Sequence, residues 1–326
     1  MELSGYERVY RGIHFQTPDR LPVSMGSLGV DDIGYAGAAF DSERRRTGLG
    51  PDEWGCGWSK TEMVNMGQVT GHPLRDWGLL DNYPFPDPDR EEVYAGVEEQ
   101  LTKVGDKYVM TGQFMLLFER MHSLHGFSET LMDLYAEPEL SAALADRIVD
   151  FDIRVIRNLA AVAGKRIHCY SFTDDWGTQQ ACFISRAMWQ EFFKPRYAKI
   201  FAAAHEVGWD VWMHSCGKVN EIIEDLIDIG CNVMNLQQPR ALGIEEIGRR
   251  YAGRIAFASL CDIQHTLPFK SAEEIREEAR LLLEHWGTPQ GGFILSDYGD
   301  GEAIGVPLEK KEIMFAAFQE FDRWKP

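Results

Sequence analysis

The sequence predicts a single α/β domain, a (β/α)8 TIM barrel that spans residues 1–326. The length of 326 residues suits one barrel of this class. Short apolar runs alternate with helix-like segments along the chain, and a polar residue closes most of the apolar runs. A doubly wound open sheet is the alternative, but it requires a glycine-rich turn after the first strand, and this sequence has none there.

Short apolar runs predict seven buried strands. The predicted strands cover 21–26, 108–112, 168–172, 209–213, 233–236, 255–260 and 292–295. A closed barrel needs an eighth strand, and no further apolar run indicates where that strand lies.

Helical periodicity fills the intervals between the predicted strands. The predicted helices cover 128–162, 185–208, 218–229, 271–287 and 308–321. Ser271 and Glu274 have the spacing of a capping box, which predicts the start of an acidic amphipathic helix. Pro195 lies inside the second predicted helix, so a kink or a restart is expected there.

The segment 52–97 is rich in Gly, Pro, Trp and Asp and has little periodicity. We expect it to be a loop-rich excursion near the barrel mouth rather than a separate domain. Five of its apolar side chains could form a lid over the mouth or could be ordinary loop packing, and the sequence favours neither interpretation: Trp54, Trp58, Met63, Met66 and Trp77.

Composition argues against several classes of partner and indicates a cellular compartment. The formal net charge of −18 disfavours nucleic acid and anionic membranes. No apolar run reaches the length of a transmembrane helix, and the first residues do not have the pattern of a signal peptide. The six cysteines are spread along the chain without a CxxC pair, which indicates a reducing, cytoplasmic compartment.

The most informative motif is His214-Ser215-Cys216-Gly217, which follows a predicted strand. Positions i and i+2 of a strand point the same way, so the imidazole of His214 and the thiol of Cys216 can reach one ion. An imidazole with a thiolate suits zinc better than magnesium or calcium. The alternative is a buried histidine and a buried free cysteine, both common in protein cores.

Other polar residues follow the predicted strands, where a barrel carries its chemistry. Asp174 and Asp175 are the candidate catalytic residues, and Gln113, Gln237 and Tyr298 are the candidate substrate-binding residues. A catalytic zinc keeps three protein ligands and one open position. The third ligand is expected from another strand end, either Cys261 or an acidic residue in the turn 297–302.

Several segments together resemble a known family. Residues 18–23 read PDRLPV, and residues 214–217 read HSCG. Shorter matching segments are DDW at 174–176, SRAMW at 185–189, FKP at 193–195, DIQ at 262–264 and GFILS at 292–296. On these segments the chain resembles the uroporphyrinogen decarboxylase superfamily, and within it the branch of zinc-dependent, corrinoid-linked methyltransferases.

The resemblance implies a (β/α)8 barrel, zinc held by His214 and Cys216, and a corrinoid (cobalamin) carried by a partner protein. The methyltransferase branch takes a second cysteine after a glycine of the closing segment, whereas here Gly299 is followed by Asp300. The implied zinc set is therefore His214 and Cys216 with either Asp300 or Cys261.

The implied function is methyl transfer between a small methylated substrate and that corrinoid. The alternative is a cofactor-free decarboxylase that acts on a carboxylated substrate. True uroporphyrinogen decarboxylases carry an arginine-rich segment near the N-terminus, but residues 24–29 read SMGSLG here. No nucleic acid or membrane partner is expected, and the sequence leaves a homodimer open.

Overall fold

The computed structural model of the chain describes residues 2–40, 50–60, 67–299 and 301–325. Its strands, in chain order, are β1 (Val23–Met25), β2 (Val30–Asp31), β3 (Ile33–Tyr35), β4 (Gly57–Ser59), β5 (Gln68–Gly71), β6 (Tyr108–Gln113), β7 (Cys169–Thr173), β8 (Asp210–His214), β9 (Val233–Leu236), β10 (Ala256–Ser259) and β11 (Phe293–Ser296). Strands β4 and β5 form a separate antiparallel ribbon.

The helices surround the sheet. In chain order they are α1 (Gly5–Ile13), α2 (Val97–Val104), α3 (Phe118–His125), α4 (Phe127–Ala136), α5 (Pro138–Ala163), α6 (Arg186–Met188), α7 (Lys194–Glu206), α8 (Ile223–Asp228), α9 (Pro239–Leu242), α10 (Ile244–Tyr251), α11 (Ala272–Trp286) and α12 (Leu308–Glu320). Within the described ranges, no helix combines the length and the apolar character needed to cross a lipid bilayer.

The main sheet is a nearly closed barrel, which confirms the predicted fold class. Its described strands have the order β2-β1-β11-β10-β9-β8-β7-β6-β3. All neighbours in this order are parallel except β1 and β2, which are antiparallel. The eighth parallel strand, which the sequence did not reveal, is β3. It has only three residues, one of them a glycine, so it makes no apolar run.

The interior of the barrel is filled at one end and open at the other. Val9 and Ile13 of α1 pack with inward side chains of the strands, including Trp212, Val233 and Ile294. Helix α1 therefore closes the N-terminal end of the barrel, and the polar residues after the strands surround the opposite, C-terminal mouth. The strands are buried on both faces, as is typical of parallel sheets that helices cover.

Helix boundaries differ from the prediction where proline intervenes. The predicted helix 128–162 is two helices, α4 and α5, because Pro138 starts a new helix at its first turn. The predicted helix 185–208 contains a π-helical segment, Trp189–Phe193, directly before α7, which has Pro195 in its first turn. The predicted capping box is present, since Ser271 and Glu274 cap each other's backbone N–H groups.

Within the predicted excursion 52–97, the three tryptophans have different surroundings. Trp54 packs against Phe151 and Trp77 stacks on His125, with ring centroids 4.7 Å and 3.8 Å apart. Only Trp58 lines a cavity at the barrel mouth. Met63 and Met66 lie outside the described residues. The assignment of residues 1–326 to one domain stays a prediction.

Candidate active site

The ends of β7, β8 and β9 lie side by side. Thr173 is paired with His214, and His214 is paired with Asn235. Past the paired residues, the Asp174 N–H donates to the His214 carbonyl at 3.0 Å. The Cys216 N–H donates to Oδ1 of Asp175 at 2.7 Å. These bonds hold the loops after β7 and β8 against each other at the mouth.

Three side chains meet at this point in a geometry that fits a shared zinc ion. The ligand atoms of Asp175, His214 and Cys216 lie within 4.8 Å of one another. His214 Nε2 is 3.4 Å from Cys216 Sγ and 3.6 Å from Asp175 Oδ1. Two ligands on one tetrahedral zinc are separated by about 3.3–3.7 Å, given zinc–ligand distances of about 2.0–2.3 Å. Both observed separations fall in that range.

The ring of His214 is held by Asn235, a residue that sequence reasoning did not select. Asn235 Nδ2 donates to the Ala258 carbonyl at 2.9 Å and to the Ser296 hydroxyl at 3.2 Å. Its Oδ1 is therefore the atom that lies 2.9 Å from His214 Nδ1, and it accepts the Nδ1–H. That bond leaves the lone pair of Nε2 directed at the cluster, which is the arrangement that metal-bound histidines use.

The thiol of Cys216 needs a cation to ionise. Burial, followed by the nearby Asp175 carboxylate, raises the pKa of this thiol. A thiolate formed here would be a partly buried negative charge next to another negative charge. A divalent metal would supply the missing positive charge, since coordination deprotonates a thiol.

Gly217 allows the loop after β8 to approach the loop after β7. Its φ of +79° lies in the left-handed region. A Cβ atom built there would lie 2.1 Å from the Gly177 carbonyl oxygen. A larger residue would separate the two loops that bring Asp175 to Cys216. The glycine of the HSCG motif is thus explained by a close backbone contact.

Asp174 and Asp175 have different surroundings although they are neighbours. Asp174 is fully buried, and its carboxylate accepts the backbone N–H groups at the start of α3, from Leu117, Phe118 and Glu119. It also accepts the Tyr197 hydroxyl at 2.5 Å. Burial raises the pKa of Asp174 to about 6, although these donors favour the charged form. The structure therefore gives Asp174 a helix-capping role and brings only Asp175 to the cavity.

Glu119 also reaches the site, and sequence reasoning missed it. Its Oε2 accepts the Thr173 hydroxyl at 2.7 Å, and the residue lines the cavity beside Asp175. Burial, then the charges of Asp175 and Asp174, raises the pKa of Glu119 well above its usual value. Apolar residues at helical spacing, Leu117, Met121 and Leu124, follow β6 and are the sequence signal that could have placed Glu119 on a helix beside the strand ends.

Two adjoining cavities occupy the mouth. The metal-side cavity, of about 690 Å³, is bordered by Asp175, His214 and Cys216. The central cavity, of about 530 Å³, lies over the barrel interior. The three predicted substrate-binding residues, Gln113, Gln237 and Tyr298, all line the central cavity. Gln237 and Tyr298 also line the metal-side cavity. Gln237 and Tyr298, which border both spaces, lie where a substrate would approach a metal.

Cys261, one of the two expected third ligands, does not join the described cluster. Cys261 is fully buried, and its thiol donates to the Ile275 carbonyl on α11 at 3.4 Å, so it faces the helix layer. Burial, then the neighbouring Glu278 carboxylate, raises the pKa of Cys261 well above its usual value. Asp300 lies outside the described residues. Among the residues that the structure describes, Asp175 is the third potential ligand beside His214 and Cys216.

Comparison with known proteins gives a family and a fold. Residues 55–321 match the family described as Uroporphyrinogen decarboxylase (URO-D). Two curated relatives from Methanosarcina barkeri, one of them from strain Fusaro / DSM 804, are both named Methylcobamide:CoM methyltransferase MtaA. Each is 27% identical over 139 residues, which is 42% of this chain and 38% of the relative. The chain therefore spans well under half the length of those relatives in the alignment.

A solved structure resembles nearly the whole chain. It is described as a methyltransferase from Methanosarcina mazei, and it superposes with a TM-score of 0.66 at 18% identity. The superposition covers 98% of this chain and 99% of the other. At this identity the likeness supports the barrel fold.

Proposed function

The chain belongs to the uroporphyrinogen decarboxylase family, and from that premise we propose that it is a zinc-dependent, corrinoid-linked methyltransferase. It moves a methyl group between a small methylated substrate and a corrinoid carried by a partner protein. The observation that carries this proposal is the cluster of Asp175, His214 and Cys216 at the edge of a cavity. The names of the two Methanosarcina barkeri relatives support the same reaction class.

We assign zinc to His214, Cys216 and Asp175. Three protein ligands leave one position open, which is the arrangement of a catalytic site. When bound there, zinc lowers the pKa of the heteroatom that carries or receives the methyl group, or polarises the bond beside it. The cavity next to the cluster gives a small substrate access to that position.

The neighbouring residues keep this arrangement in place. Asn235 holds His214 in the tautomer that leaves Nε2 free. Gln238 Oε1 accepts the Gly217 N–H at 2.7 Å, which fixes the loop that carries Cys216. Of the two predicted catalytic acids, Asp175 acts at the reacting end and Asp174 positions α3. Gln237 and Tyr298 are proposed to contact the substrate, since both border the two cavities.

The lining of the cavities disfavours decarboxylation of uroporphyrinogen. That substrate carries many carboxylates and needs cationic partners. Among the described residues that line the metal-side and central cavities, there is no lysine or arginine. Asp175 and Glu119 instead place two carboxyl groups there.

The test of the proposed reaction is spectroscopic. Zinc-loaded protein is mixed with reduced cob(I)alamin and, in turn, with methoxy-aromatics, methylamines, methanol and methylthiols. We expect the absorbance of methylcobalamin to appear with at least one donor, and not with the Cys216→Ala variant. The Cys261→Ala variant is the matched control, because it removes a thiol that faces away from the cavity.

Two results would contradict the proposal. One is the absence of methylcobalamin with every donor, together with no loss of methyl from methylcobalamin to thiols or other acceptors. The other is conversion of uroporphyrinogen III to coproporphyrinogen at an ordinary enzymatic rate. The second result would favour the decarboxylase alternative.

A further inference from the structure

The central cavity has a side branch that leads away from the metal cluster. This side cavity, of about 340 Å³, reaches β1, β2 and the end of β11. It shares four lining residues with the central cavity: Tyr35, Trp212, Asn235 and Gly299. A substrate whose reacting end is at His214 can therefore extend its other end into this branch.

Aromatic rings line the central cavity, and two of them, Tyr35 and Trp212, also line the side cavity. Tyr35, Phe114, Trp212 and Tyr298 all line the central cavity. Trp212 lies two residues before His214 on β8, so both side chains point into the barrel. Ring faces attract organic cations, and several rings around one space are a known means of binding quaternary ammonium groups.

A carboxylate lies in the side cavity. Asp31 lines it, and Asp31 Oδ1 accepts the Ile33 N–H at 3.1 Å. Within the described ranges, no lysine or arginine nitrogen is within ion-pair distance of Asp31, and the charge of Lys107 acts on it only from farther away. The second acid of this cavity, Asp297, differs, because Lys311 Nζ lies 2.7 Å from its Oδ1. Asp31 is thus the negative group that a positively charged ligand would neutralise.

No positive side chain of the described lining would receive an anion. The three spaces at the mouth are lined by no lysine or arginine among the residues that the structure describes. Burial lowers the pKa of His122, at the metal-side cavity, to about 4, so that ring is neutral near pH 7. The described lining therefore combines aromatic rings and carboxyl groups without a fixed cation.

We propose that the substrate of this site is a small organic cation of the alkylammonium class. Its positive group is held among Tyr35, Trp212 and Asp31 while its reacting end faces His214 and Cys216. This inference rests on the proposed function, because it names the substrate class of the same cavity. It is tested by binding, independently of methyl transfer.

The experiment compares three probes of similar shape and different charge. Calorimetric titrations of the zinc-loaded protein use choline, its neutral isostere 3,3-dimethyl-1-butanol, and the anion 3,3-dimethylbutyrate. We expect choline to bind at least about tenfold more tightly than the neutral isostere, and the anion to bind more weakly still. The preference for choline should decrease with added salt. Equal affinity for choline and the neutral alcohol would overturn the proposal.

Variants of Asp31 test whether this residue binds the positive charge of choline. Asp31→Asn keeps an oxygen for the Ile33 N–H but removes the negative charge, so it should weaken choline about tenfold and leave the neutral alcohol unchanged. Asp81→Asn is the control, since Asp81 is exposed and lines none of these cavities. Equal choline affinity in Asp31→Asn and the parent protein would refute the assignment of Asp31.

Two variants of Trp212 test the contribution of its aromatic ring to cation binding. Trp212→Leu should weaken choline more than the neutral alcohol, and Trp212→Phe should restore most of the difference because it keeps a ring. If Trp212→Leu does not fold, the comparison of Trp212→Phe with Asp31→Asn still tests the site. An equal effect of either variant on all three probes would overturn the cation assignment.

The two proposals fail in different ways. Charge-selective binding that depends on Asp31, without methylation of cobalamin by any donor, would refute the proposed reaction and leave the ligand class standing. Methylation of cobalamin from neutral donors, without selective binding of choline, would refute the ligand class alone.

Discussion

Two regions at the strand ends of this barrel each combine a cysteine with carboxyl side chains, and they have opposite surroundings. We call the cluster of Asp175, His214 and Cys216 the open end, because its side chains border a cavity. The closed end, after β10, contains Cys261 and Asp262 together with Glu278 from α11. All three are fully buried. Both ends combine a cysteine with at least one carboxyl group, and the open end adds the imidazole of His214.

The closed end is completed by the protein itself. Glu278 accepts the Asp262 N–H at 2.6 Å and the Thr266 hydroxyl at 2.7 Å, and it forms an ion pair with Arg240. Asp262 in turn accepts the N–H groups of two residues that follow it, Gln264 and His265. The polar groups of this end are partnered by the chain. A metal site needs, in addition to suitable residues, ligand atoms directed at a shared space that the protein does not fill.

The largest expected effect separates the two cysteines. Cys216→Ala should reduce bound zinc from near one per chain to about a tenth or less, because it removes one of three ligands. Cys261→Ala should keep its zinc and lose only some stability. Metal analysis of protein purified without chelator measures both. Zinc retained in Cys216→Ala, or lost in Cys261→Ala, would reverse the assignment of the two ends.

The adjacent acids give the next comparison. Asp175→Asn should weaken zinc binding about 100-fold or more, since an amide oxygen is a poorer ligand than a carboxylate, and activity should fall with it. Asp174→Asn should keep zinc but lower the free energy of unfolding by about 1–3 kcal/mol, because it weakens the cap of α3. Competition with a zinc chelator and urea unfolding check the pair. An Asp174→Asn variant that loses zinc while retaining stability would contradict the difference described between these acids.

A smaller effect is expected at the residue that orients the histidine. Asn235→Ala removes the acceptor of the His214 Nδ1–H, and should weaken zinc binding about 10–100-fold while all three proposed ligands remain. Glu278→Gln is the matched change at the closed end, and it should leave zinc affinity unchanged. The same chelator competition measures both variants. Unchanged zinc affinity in Asn235→Ala would show that the ring is held in other ways.

The smallest effect is a dependence of stability on pH at the open end. Burial lowers the pKa of His122 from 6.5 to about 4 in the folded protein, so the unfolded chain takes up this proton first as the pH falls. The contribution of His122 to stability is therefore present above pH 6.5 and is lost as the pH falls from 6.5 toward 4.

His122→Gln should flatten the fall in urea midpoint between pH 7 and pH 5. His265→Gln is the control, since His265 is exposed. An identical pH slope in His122→Gln and the parent protein would contradict the prediction.

Local pattern was sufficient for several features of this molecule. Alternation of apolar runs with helical segments predicted the barrel, because each run must be buried between the interior and a helix. The spacing of His214 and Cys216 predicted that they meet, since residues two apart on a strand share a face. The capping box of α11 was also predicted from local pattern, because its hydrogen bonds join residues only three positions apart.

Other features depended on which segments become neighbours in space. Strand β3 forms because β6 provides a partner for three residues that have no pattern of their own. Asp175 reaches Cys216 because β7 and β8 pair in a register that aligns Thr173 with His214. Cys261 faces away because α11 covers it.

The sequence by itself thus determined the fold class and the first two residues of the candidate metal site, since both follow from periodicities of a few residues. The tertiary structure alone decided which acid joins the candidate site, which residue holds the ring of His214, and which residues fill the space around Cys261. Each of these depends on contacts between residues at least 14 positions apart in sequence, as in the bonds from Cys261 to Ile275, from Asn235 to His214 and from Cys216 to Asp175. Such contacts are set by strand register and helix packing, which no short window of sequence contains.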